Sequence, residues 1–370
     1  MNIAIESHVL NHHRRSGMMT YTEGLVNYIF RNDLQNRYNL LFYSLRRSPQ
    51  EMPGPSGENV KKFVLRMPDN EFRFRQQIVD HLFLPGFLKR QQIKIFHRVV
   101  GYTMPRVKGV FKVLTVHDLR TLTIGDDVWQ QNMAHYKKTL SDVDACVVVS
   151  ECTKKDLLDH FQLNEKKIHV VHLAADQHFR PAKAEDIAAV RQKYQINGPF
   201  LLSIGSVPRK NIDGIIRAFA ASDYKDKFTL VSSCNIGVEK YRQLAQELGV
   251  ADRVKILDKL NDTEVIALFT DCHCFVFPSL YEGFGLPIVE AMQCRAPIIT
   301  SNISSCPEVA GDAALLVDPL KIDEIAQAIN RICRDEKLRQ ELIKKGTERA
   351  KLFSWEKFAQ GMRKVYSLAQ

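Results

Sequence analysis

Two glutamates bracket a glycine-containing turn in the run SLYEGFGLPIVE, which ends at Glu290. The first carboxylate, Glu282, could bind hydroxyl groups or stabilise a developing positive charge, and Glu290 could accept from two vicinal hydroxyls, as on a ribose. The two glycines between them let the backbone approach a ligand closely. They would offer it three N–H groups, those of Phe284, Gly285 and Leu286. Without other evidence, Glu290 reads equally well as a first-turn residue that favours the helix dipole, and Glu282 as a solvated loop residue.

A second set of residues combines a strand end, a glycine and two cations. In LLSIGSVPRKN the apolar strand ends at Gly205, and Arg209 and Lys210 precede a helix that Asn211 is placed to cap. Oriented N–H groups, the positive end of a helix and two fixed cations all favour a diphosphate. The alternative is an exposed basic turn, and the preceding strand and glycine favour the anion site over it.

A third position worth attention is His117, which follows the apolar run VLTV at a strand end. A lone histidine there is usually structural. Because ligands of parallel sheets bind at the carboxyl ends of strands, it is also placed for function. No Asp-x-Asp pair stands at a convincing strand end, since Asp142 and Asp144 precede a buried strand. We therefore expect neither a metal nor another cofactor.

The elements that must position these residues alternate between apolar β-rich runs and helix-period segments along the whole chain, which predicts an α/β fold with parallel sheets. Helices are expected at Ile212–Ala220 and Asp323–Cys333, whose isoleucines recur at helical spacing. Strands are expected at Ile3–Ile5, Tyr38–Tyr43, Lys62–Leu65, Lys94–His97, Phe111–Val116, Ala145–Val149, His169–Val171, Phe200–Ile204, Phe228–Val231, Val254–Leu257, Cys274–Phe277, Ile298–Thr300 and Leu315–Val317.

Length and composition set the scale of the molecule. A chain of 370 residues, 45% of them hydrophobic, predicts two domains, with the boundary in the polar segment Asp176–Gly198. The N-terminus has no signal-peptide pattern, and no run is apolar enough to cross a membrane. The eight cysteines show no paired CxxC spacing, which indicates buried thiols in a reducing cytoplasm. Localisation is therefore expected to be cytoplasmic.

The net charge of +10 is concentrated in the N-terminal half. Between Lys61 and Lys112 there are twelve basic and three acidic residues. Such a surface suits nucleic acid, an anionic membrane or a phosphorylated acceptor. No recognisable nucleic-acid-binding motif lies in the stretch, so a basic nucleic-acid-binding protein is the weaker interpretation. A peripheral contact with an anionic membrane and a plain solvated surface stay open.

Three segments in one order make the chain resemble the retaining glycosyltransferases of family 4, the group 1 family. EGFGLPIVE resembles the family's E-x7-E motif, GSVPRKN its donor-phosphate segment, and the stretch 307–329 the sequence that follows. The resemblance implies the GT-B fold, two Rossmann-like parallel-sheet domains facing each other across a cleft. The implied division is an acceptor-side domain at 1–178, a nucleotide-sugar-binding domain at 179–352 and a helix at 353–370 that crosses back to the first domain.

The resemblance also implies roles for single residues. Arg209 and Lys210 would bind the donor diphosphate, and Glu290 would bind the ribose. Glu282 would bind the transferred sugar, with His117 beside it as the second catalytic residue. Other donor-binding positions would be Gly17, Gly205, Phe284, Gly285 and Leu286. The chain departs from the family at Gly17, which stands alone where two glycines are common, and residues facing the acceptor would be His12, His13, Arg14 and Arg15.

The activity implied is the retaining transfer of a hexose to a glycan or lipid-linked acceptor, without a metal. TVHDL and EGFGLPIVE together resemble bacterial mannosyltransferases of surface-polysaccharide assembly, so mannose from GDP-mannose is the first expectation. A donor carrying UDP with a hexose or an N-acetylhexosamine is the alternative.

Overall fold

The computed structural model describes residues 1–11, 16–31, 33, 35–67, 78–101, 103–119 and 136–370. Within them the elements follow in chain order as β1 (Asn2–Glu6), α1 (Gly17–Tyr28), β2 (Arg37–Tyr43), β3 (Val60–Leu65), α2 (Leu84–Arg90), β4 (Ile95–Arg98), β5 (Phe111–Val116), β6 (Ala145–Val148), α3 (Glu151–His160), β7 (Ile168–Val170), α4 (Ala184–Tyr194), β8 (Phe200–Ile204), α5 (Ile212–Ala221), β9 (Thr229–Ser233), α6 (Val238–Glu247), β10 (Val254–Leu257), α7 (Asp262–Asp271), β11 (Cys274–Phe277), α8 (Leu286–Gln293), β12 (Ile298–Ser301), α9 (Cys306–Ala310), β13 (Ala314–Val317), α10 (Ile322–Arg334), α11 (Glu336–Ala350) and α12 (Trp355–Ser367).

The chain divides into two compact units. The first comprises Met1–Leu173 together with Trp355–Gln370, and the second comprises Ala174–Ser354. The polar segment in which the sequence predicts a boundary carries helix α4 and belongs to the second unit. The last helix, α12, belongs to the first unit although it follows the second in sequence.

The first unit contains a parallel seven-stranded sheet in the order β3-β2-β1-β4-β5-β6-β7. Its central strands β4 and β6 are buried along their whole length, as expected for parallel strands covered by helices on both faces. Helix α12 packs against α1, where the ring of Phe358 meets Tyr21 edge-on and Trp355 stacks on Tyr28.

The second unit contains a parallel six-stranded sheet in the order β10-β9-β8-β11-β12-β13. The order turns around β8, so the chain leaves this strand toward β9 and returns to its other side as β11. Carboxyl ends of strands on the two sides of such a reversal form the ordinary ligand-binding crevice of an open α/β sheet. Helix α10 covers the sheet with a buried stripe of Ile325, Ile329 and Ile332, which confirms the helical spacing seen in the sequence.

The expected strands are all present, and the observed bounds differ by one or two residues at most. This agreement confirms the α/β fold with two parallel sheets. Within the described residues, no helix is both long and apolar enough to span a bilayer.

Candidate functional site

The turn after β8 brings two cations to the carboxyl edge of the second sheet. Gly205 has a φ of 150°, and a Cβ placed on it would lie 2.4 Å from Cγ of Lys210. Only glycine therefore lets the Lys210 side chain fold back beneath the strand end. The next residues, Pro208–Lys210, form a short 3-10 turn immediately before α5.

Asn211 does not cap α5 with its side chain as the sequence predicts. The residue takes a left-handed conformation, with φ 59°, and no side-chain cap hydrogen bond is present. Instead its amide donates to the carbonyl oxygens of Pro278 (3.2 Å) and Pro319 (2.7 Å). The side chain thus ties the cationic turn to the segments that follow β11 and β13. The left-handed backbone also differs from the extended conformation typical of a capping residue, in which the side-chain oxygen would accept from the helix.

The loop after β11 is joined to the same turn through Arg209. Its backbone carbonyl accepts from the N–H of Leu280 (2.7 Å) and from Oγ of Ser279 (3.0 Å). Its guanidinium Nη1 donates to the carbonyl oxygen of Tyr281 at 2.9 Å. The Nε of Arg209 is buried and has no hydrogen-bond partner among the described residues. An unsatisfied buried donor is costly and suits a place where a ligand completes the bonding.

Glu282 lies between the two cations. Its carboxylate pairs with Arg209 Nη1 at 2.6 Å and with Lys210 Nζ at 2.7 Å, and it accepts from Oγ of Ser279 at 2.7 Å. Its backbone is held as well, because its carbonyl oxygen accepts from the hydroxyls of Ser304 and Ser305. Every polar group of this carboxylate therefore has a fixed partner within the second unit.

The electrostatics of this cluster follow from its burial. Burial raises the pKa of Glu282, but the charges of Lys210 and Arg209 outweigh it and hold that pKa below its usual value. Burial lowers the pKa of Lys210, and the neighbouring Glu282 offsets part of the shift. The ammonium also lies 4.4 Å from the ring centroid of Phe277. The result is a charged triad in a site shielded from water.

Helix α8 begins directly after the glycine turn. Gly285 has a φ of 94° and precedes the first helical residue, Leu286, and the prolyl ring of Pro287 lies in the first turn, where proline is favoured. Phe284 is buried edge-on against Phe353, at 5.5 Å between ring centroids. Glu290 is half-buried in the second turn of α8. All the sequence-predicted residues of 205–210 and 282–290 thus lie on one loop pair and the helix that follows it.

His117 belongs to the first unit, immediately after β5. Its Nε2 lies 2.9 Å from the carbonyl oxygen of Val99, and Tyr21 packs edge-on against its ring with centroids 4.8 Å apart. Because a carbonyl can only accept, Nε2 carries the proton, and Nδ1 is the basic atom of the neutral ring. Burial lowers the pKa of His117 below its usual value. The ring is therefore held neutral and in one tautomer.

The remaining predicted positions fall near the start of α1. Ser16 caps this helix by accepting from the N–H of Met19, and Gly17 is its exposed first residue. The four residues assigned to the acceptor, His12, His13, Arg14 and Arg15, lie outside the described residues.

Two family models together match most of the chain. The model described as Glycosyltransferase Family 4 matches residues 23–179, and that described as Glycosyl transferases group 1 matches residues 186–349. O-antigen chain mannosyltransferase B of Escherichia coli is 31% identical over 326 residues, which is 80% of this chain and 85% of that protein. The chain belongs to glycosyltransferase family 4. It is a hexosyltransferase.

More distant matches agree with this assignment. Serotype-specific mannosyltransferase WbdA of Escherichia coli is 28% identical over 257 residues, 66% of this chain and 32% of that longer protein. The crystal structure of HepE from Anabaena in complex with UDP-glucose superposes with a TM-score of 0.77, at 16% identity and over 99% of both chains. At that identity the match supports the two-domain GT-B fold of this glycosyltransferase.

The glycosyltransferase also contains buried polar groups that sequence reasoning missed. In the first unit a hydrogen-bonded chain runs from Tyr366 to His97 (2.7 Å), from His97 to Thr115 (2.7 Å) and from Thr115 to Tyr21 (2.8 Å). Burial lowers the pKa of His97 to about 3. This chain ends at the ring that packs against His117. A histidine inside an apolar strand, in IFHR, was the available signal.

Next to it, Arg98 is fully buried and pairs with Glu6 (2.7 Å) and Asp80 (2.6 Å). Tyr43 donates to Glu6 at 2.5 Å. These groups come from separate strands and a helix, so no sequence motif predicts that they form a cluster.

Metal-binding side chains are not clustered in the described part of the glycosyltransferase, where no group of three or more His, Cys, Asp or Glu residues could hold an ion. The eight cysteines are free thiols; six of them are buried as expected, whereas Cys152 and Cys333 are half-buried.

Proposed function

We propose that this glycosyltransferase transfers mannose from GDP-mannose to a glycan or lipid-linked acceptor, with retention of the anomeric configuration and without a metal. One observation carries the proposal: Glu282 lies at hydrogen-bond distance from both Arg209 and Lys210 at the carboxyl edge of the second sheet. A sugar diphosphate has hydroxyl groups that a carboxylate can bind and a diphosphate that two cations can bind. The cluster contains one carboxylate and two cations.

The cations match the leaving group. Arg209 and Lys210 carry two positive charges where a diphosphate can be bound, and the unsatisfied Nε of Arg209 adds a donor. Charge-assisted bonds of this kind contribute roughly 1.5–3 kcal/mol each. In a site shielded from water they also stabilise the charge that grows on the departing diphosphate. These two side chains supply the function that a metal serves elsewhere, which supports a metal-independent transfer.

The remaining assignments follow from chemistry at the same loops. Glu282 would contact the transferred sugar and stabilise positive charge developing at its anomeric carbon. Glu290, in α8, would accept from the ribose hydroxyls, and the backbone of Gly205 and of residues 284–286 would line the donor. From the first unit, His117 would act beside the donor sugar, with Gly17 near the donor and His12, His13, Arg14 and Arg15 toward the acceptor.

Retention follows most simply from attack on the face that the leaving group departs from. The acceptor oxygen forms its bond to the anomeric carbon as the bond from that carbon to the phosphate oxygen breaks. The acceptor proton passes to the leaving phosphate. No carboxylate nucleophile is then needed, and Glu282, paired with two cations, is a poor one. From GDP-α-mannose this route gives an α-mannoside.

Mannose is favoured because two of the relatives described above are named as mannosyltransferases. A UDP-hexose or UDP-N-acetylhexosamine donor is the second candidate, which the UDP-glucose bound to the similarly folded HepE supports. We further propose that the enzyme works in the cytoplasm, peripherally on an anionic membrane where a lipid-linked acceptor would be presented.

A nucleotide panel tests the donor. We expect GDP to raise the melting temperature of the protein more than UDP, ADP or dTDP do, with EDTA present throughout. At a ligand concentration one hundred times Kd the stabilisation is about 2.7 kcal/mol. In the double variant R209Q/K210Q the GDP response should disappear, whereas the control R334Q/K344Q, which removes two exposed charges elsewhere in the second unit, should keep it.

A larger rise in melting temperature with UDP than with GDP would favour the second candidate, a UDP-sugar, over GDP-mannose. A GDP response that appears only when Mg²⁺ replaces EDTA would refute metal independence. Equal responses of the two double variants would show that the cationic turn does not bind the diphosphate.

A further inference from the structure

A helical segment in the first unit presents apolar side chains to solvent. A π-helical turn at Val79–Phe83 runs directly into α2, and the inward face buries Val79, Leu84, Phe87 and Leu88. Outward lie Ile78, Leu82 and Phe83, the last two 72% and 49% exposed. These three residues, the apolar ridge, stand next to one another within two turns, whereas exposed apolar residues are normally scattered.

The ridge is held rigidly from below. Asp80, in the same π-helical turn, is buried and accepts from both terminal nitrogens of Arg98, at 2.7 and 2.6 Å. Arg98 is the last residue of β4, so the ridge begins at the carboxyl edge of the sheet. The exposed side chains are therefore not a frayed end, because a buried ion pair and a packed inner face fix their direction.

The other end of the same helix borders a basic cavity. The cavity measures about 680 Å³, and four of the residues that line it are basic: Lys89, Lys94, Arg106 and Lys108. None of its described lining residues is acidic, and none of the four cations has a carboxylate partner within the described residues. Lys89 lies in the last turn of α2, two turns beyond Leu82. The helical segment thus carries the apolar ridge at one end and borders the basic cavity, through Lys89, at the other.

We propose that the apolar ridge and the basic cavity together form a docking surface for an anionic phospholipid bilayer. Leu82 and Phe83 enter the boundary between headgroups and acyl chains, and the cavity takes a lipid phosphate. Amphipathic helices that lie on membranes combine these features, apolar residues for insertion and lysine or arginine for the anionic surface. The inference deepens the proposed function, because it names the surface through which a lipid-linked acceptor would be approached.

The charge pattern selects this occupant. A protein partner would need carboxylates to match four cations and a groove to receive the ridge, whereas a bilayer rich in anionic lipid offers both phosphate and hydrocarbon everywhere along its surface. Each basic side chain near such a surface contributes roughly a fivefold gain in binding. The four cations together would then account for a gain of several hundredfold, and the salt dependence of binding follows from it.

Co-sedimentation of the full chain with vesicles tests the surface without donor or acceptor. We expect binding to vesicles containing phosphatidylglycerol, weaker binding at high salt, and little binding to pure phosphatidylcholine. The quadruple variant K89Q/K94Q/R106Q/K108Q should lose about a hundredfold or more in binding, and L82S/F83S about tenfold or more. Matched controls in the second unit are K183Q/K259Q/K337Q/K344Q, with four exposed lysines, and L320S/L352S, with two exposed leucines.

Sedimentation of either test variant like the parent chain overturns the proposal, as does an equal loss in the matched controls. Loss in the quadruple variant alone would identify a soluble phosphate site without insertion, which also overturns it. Circular dichroism and the GDP-induced rise in melting temperature verify that each variant is folded. The residues changed in the test variants belong to the first unit and the cationic turn belongs to the second. A negative vesicle result therefore leaves the donor assignment standing, and a failed GDP response leaves the docking surface standing.

Discussion

Glu282 pairs with the same two cations that a donor diphosphate would bind. Its carboxylate pairs with Arg209 and Lys210, which we assign to the donor diphosphate. Binding of a diphosphate would bring negative charge to the same cations, so the carboxylate would be released toward the sugar. The residue would thus keep the cations in place before the donor arrives and act on the sugar afterwards.

Glu282→Gln should separate these two roles. We expect turnover to fall about 10²- to 10³-fold, the loss typical of removing one electrostatic contact to the transition state. Without the carboxylate the two cations repel each other, and the free energy of unfolding should fall by about 3 kcal/mol. GDP should raise the free energy of unfolding more in the variant than in the parent. Urea titrations with and without GDP measure both increases.

The control for this experiment is Glu239→Gln, which removes an exposed carboxylate paired with Arg242. Such surface pairs contribute less than about 1 kcal/mol. Full turnover in Glu282→Gln, or a GDP effect no larger than in the parent, would contradict the assignment.

At the scale of elements, the packing of α12 on α1 depends on a residue without a side chain. A Cβ placed on Gly24 would lie 2.0 Å from Cζ3 of Trp355, inside the buried aromatic contact between the two helices. The indole cannot move aside easily, because it also packs against Tyr28 and Phe358. Gly24 therefore sets the distance between α1 and the C-terminal helix.

Gly24→Ala should force these helices apart and cost about 1–3 kcal/mol of unfolding free energy, as overpacking of a core does. Gly86→Ala in α2 is the matched control, since a Cβ there meets nothing within 4 Å. Alanine at an exposed helical position should instead be neutral or stabilising by up to about 1 kcal/mol. The urea midpoint of unfolding, measured for both variants, tests this prediction. An unchanged midpoint for Gly24→Ala would refute the close packing.

The elements themselves were predictable because parallel strands are buried on both faces and read as continuous apolar runs. β8 and β11 are examples, and their bounds match the sequence prediction without change. The prediction that Asn211 caps a helix was wrong, because its backbone is left-handed and its side chain is held by distant groups. Its amide donates to the carbonyl oxygens of Pro278 and Pro319, which lie far along the chain.

The sequence predicts where the candidate site residues lie, but not how they bond. The strand ends and glycines around Arg209, Lys210 and Glu282 place these residues at one edge of the sheet, where the structure has them. Their mutual ion pairing could not be predicted, since 72 residues separate Lys210 from Glu282. The Glu6–Arg98–Asp80 cluster escaped notice for the same reason, because its members lie far apart in sequence, on β1, on β4 and in the π-helical turn before α2.

At the scale of the whole molecule, the two units differ in the groups that acid would charge. Among its described residues the first contains three histidines whose pKa is lowered by burial, His97, His117 and His169, and the second contains His273. A histidine with a lowered folded-state pKa stabilises the fold fully above its unfolded pKa of about 6.5 and loses that contribution as the pH falls below it. Glu282 of the second unit, with its pKa lowered, stabilises the fold until the pH drops below about 4.3.

Mild acid should therefore weaken the first unit more than the second, and His97 should dominate the effect. Because burial lowers its pKa to about 3, its contribution falls by about 1.4 kcal/mol per pH unit from about pH 6.5 down to that value. Trp355 belongs to the first unit, and its fluorescence can be followed alone in a Trp129→Phe background. We expect the urea midpoint measured in this way to decline between pH 6.5 and pH 4.5. His97→Gln should flatten that decline while lowering the midpoint at neutral pH, since Thr115 and Tyr366 lose part of their bonding. The exposed His160→Gln should leave the slope as it is, and a His97→Gln slope equal to that of the parent would mean that this buried ring does not carry the acid sensitivity of the fold.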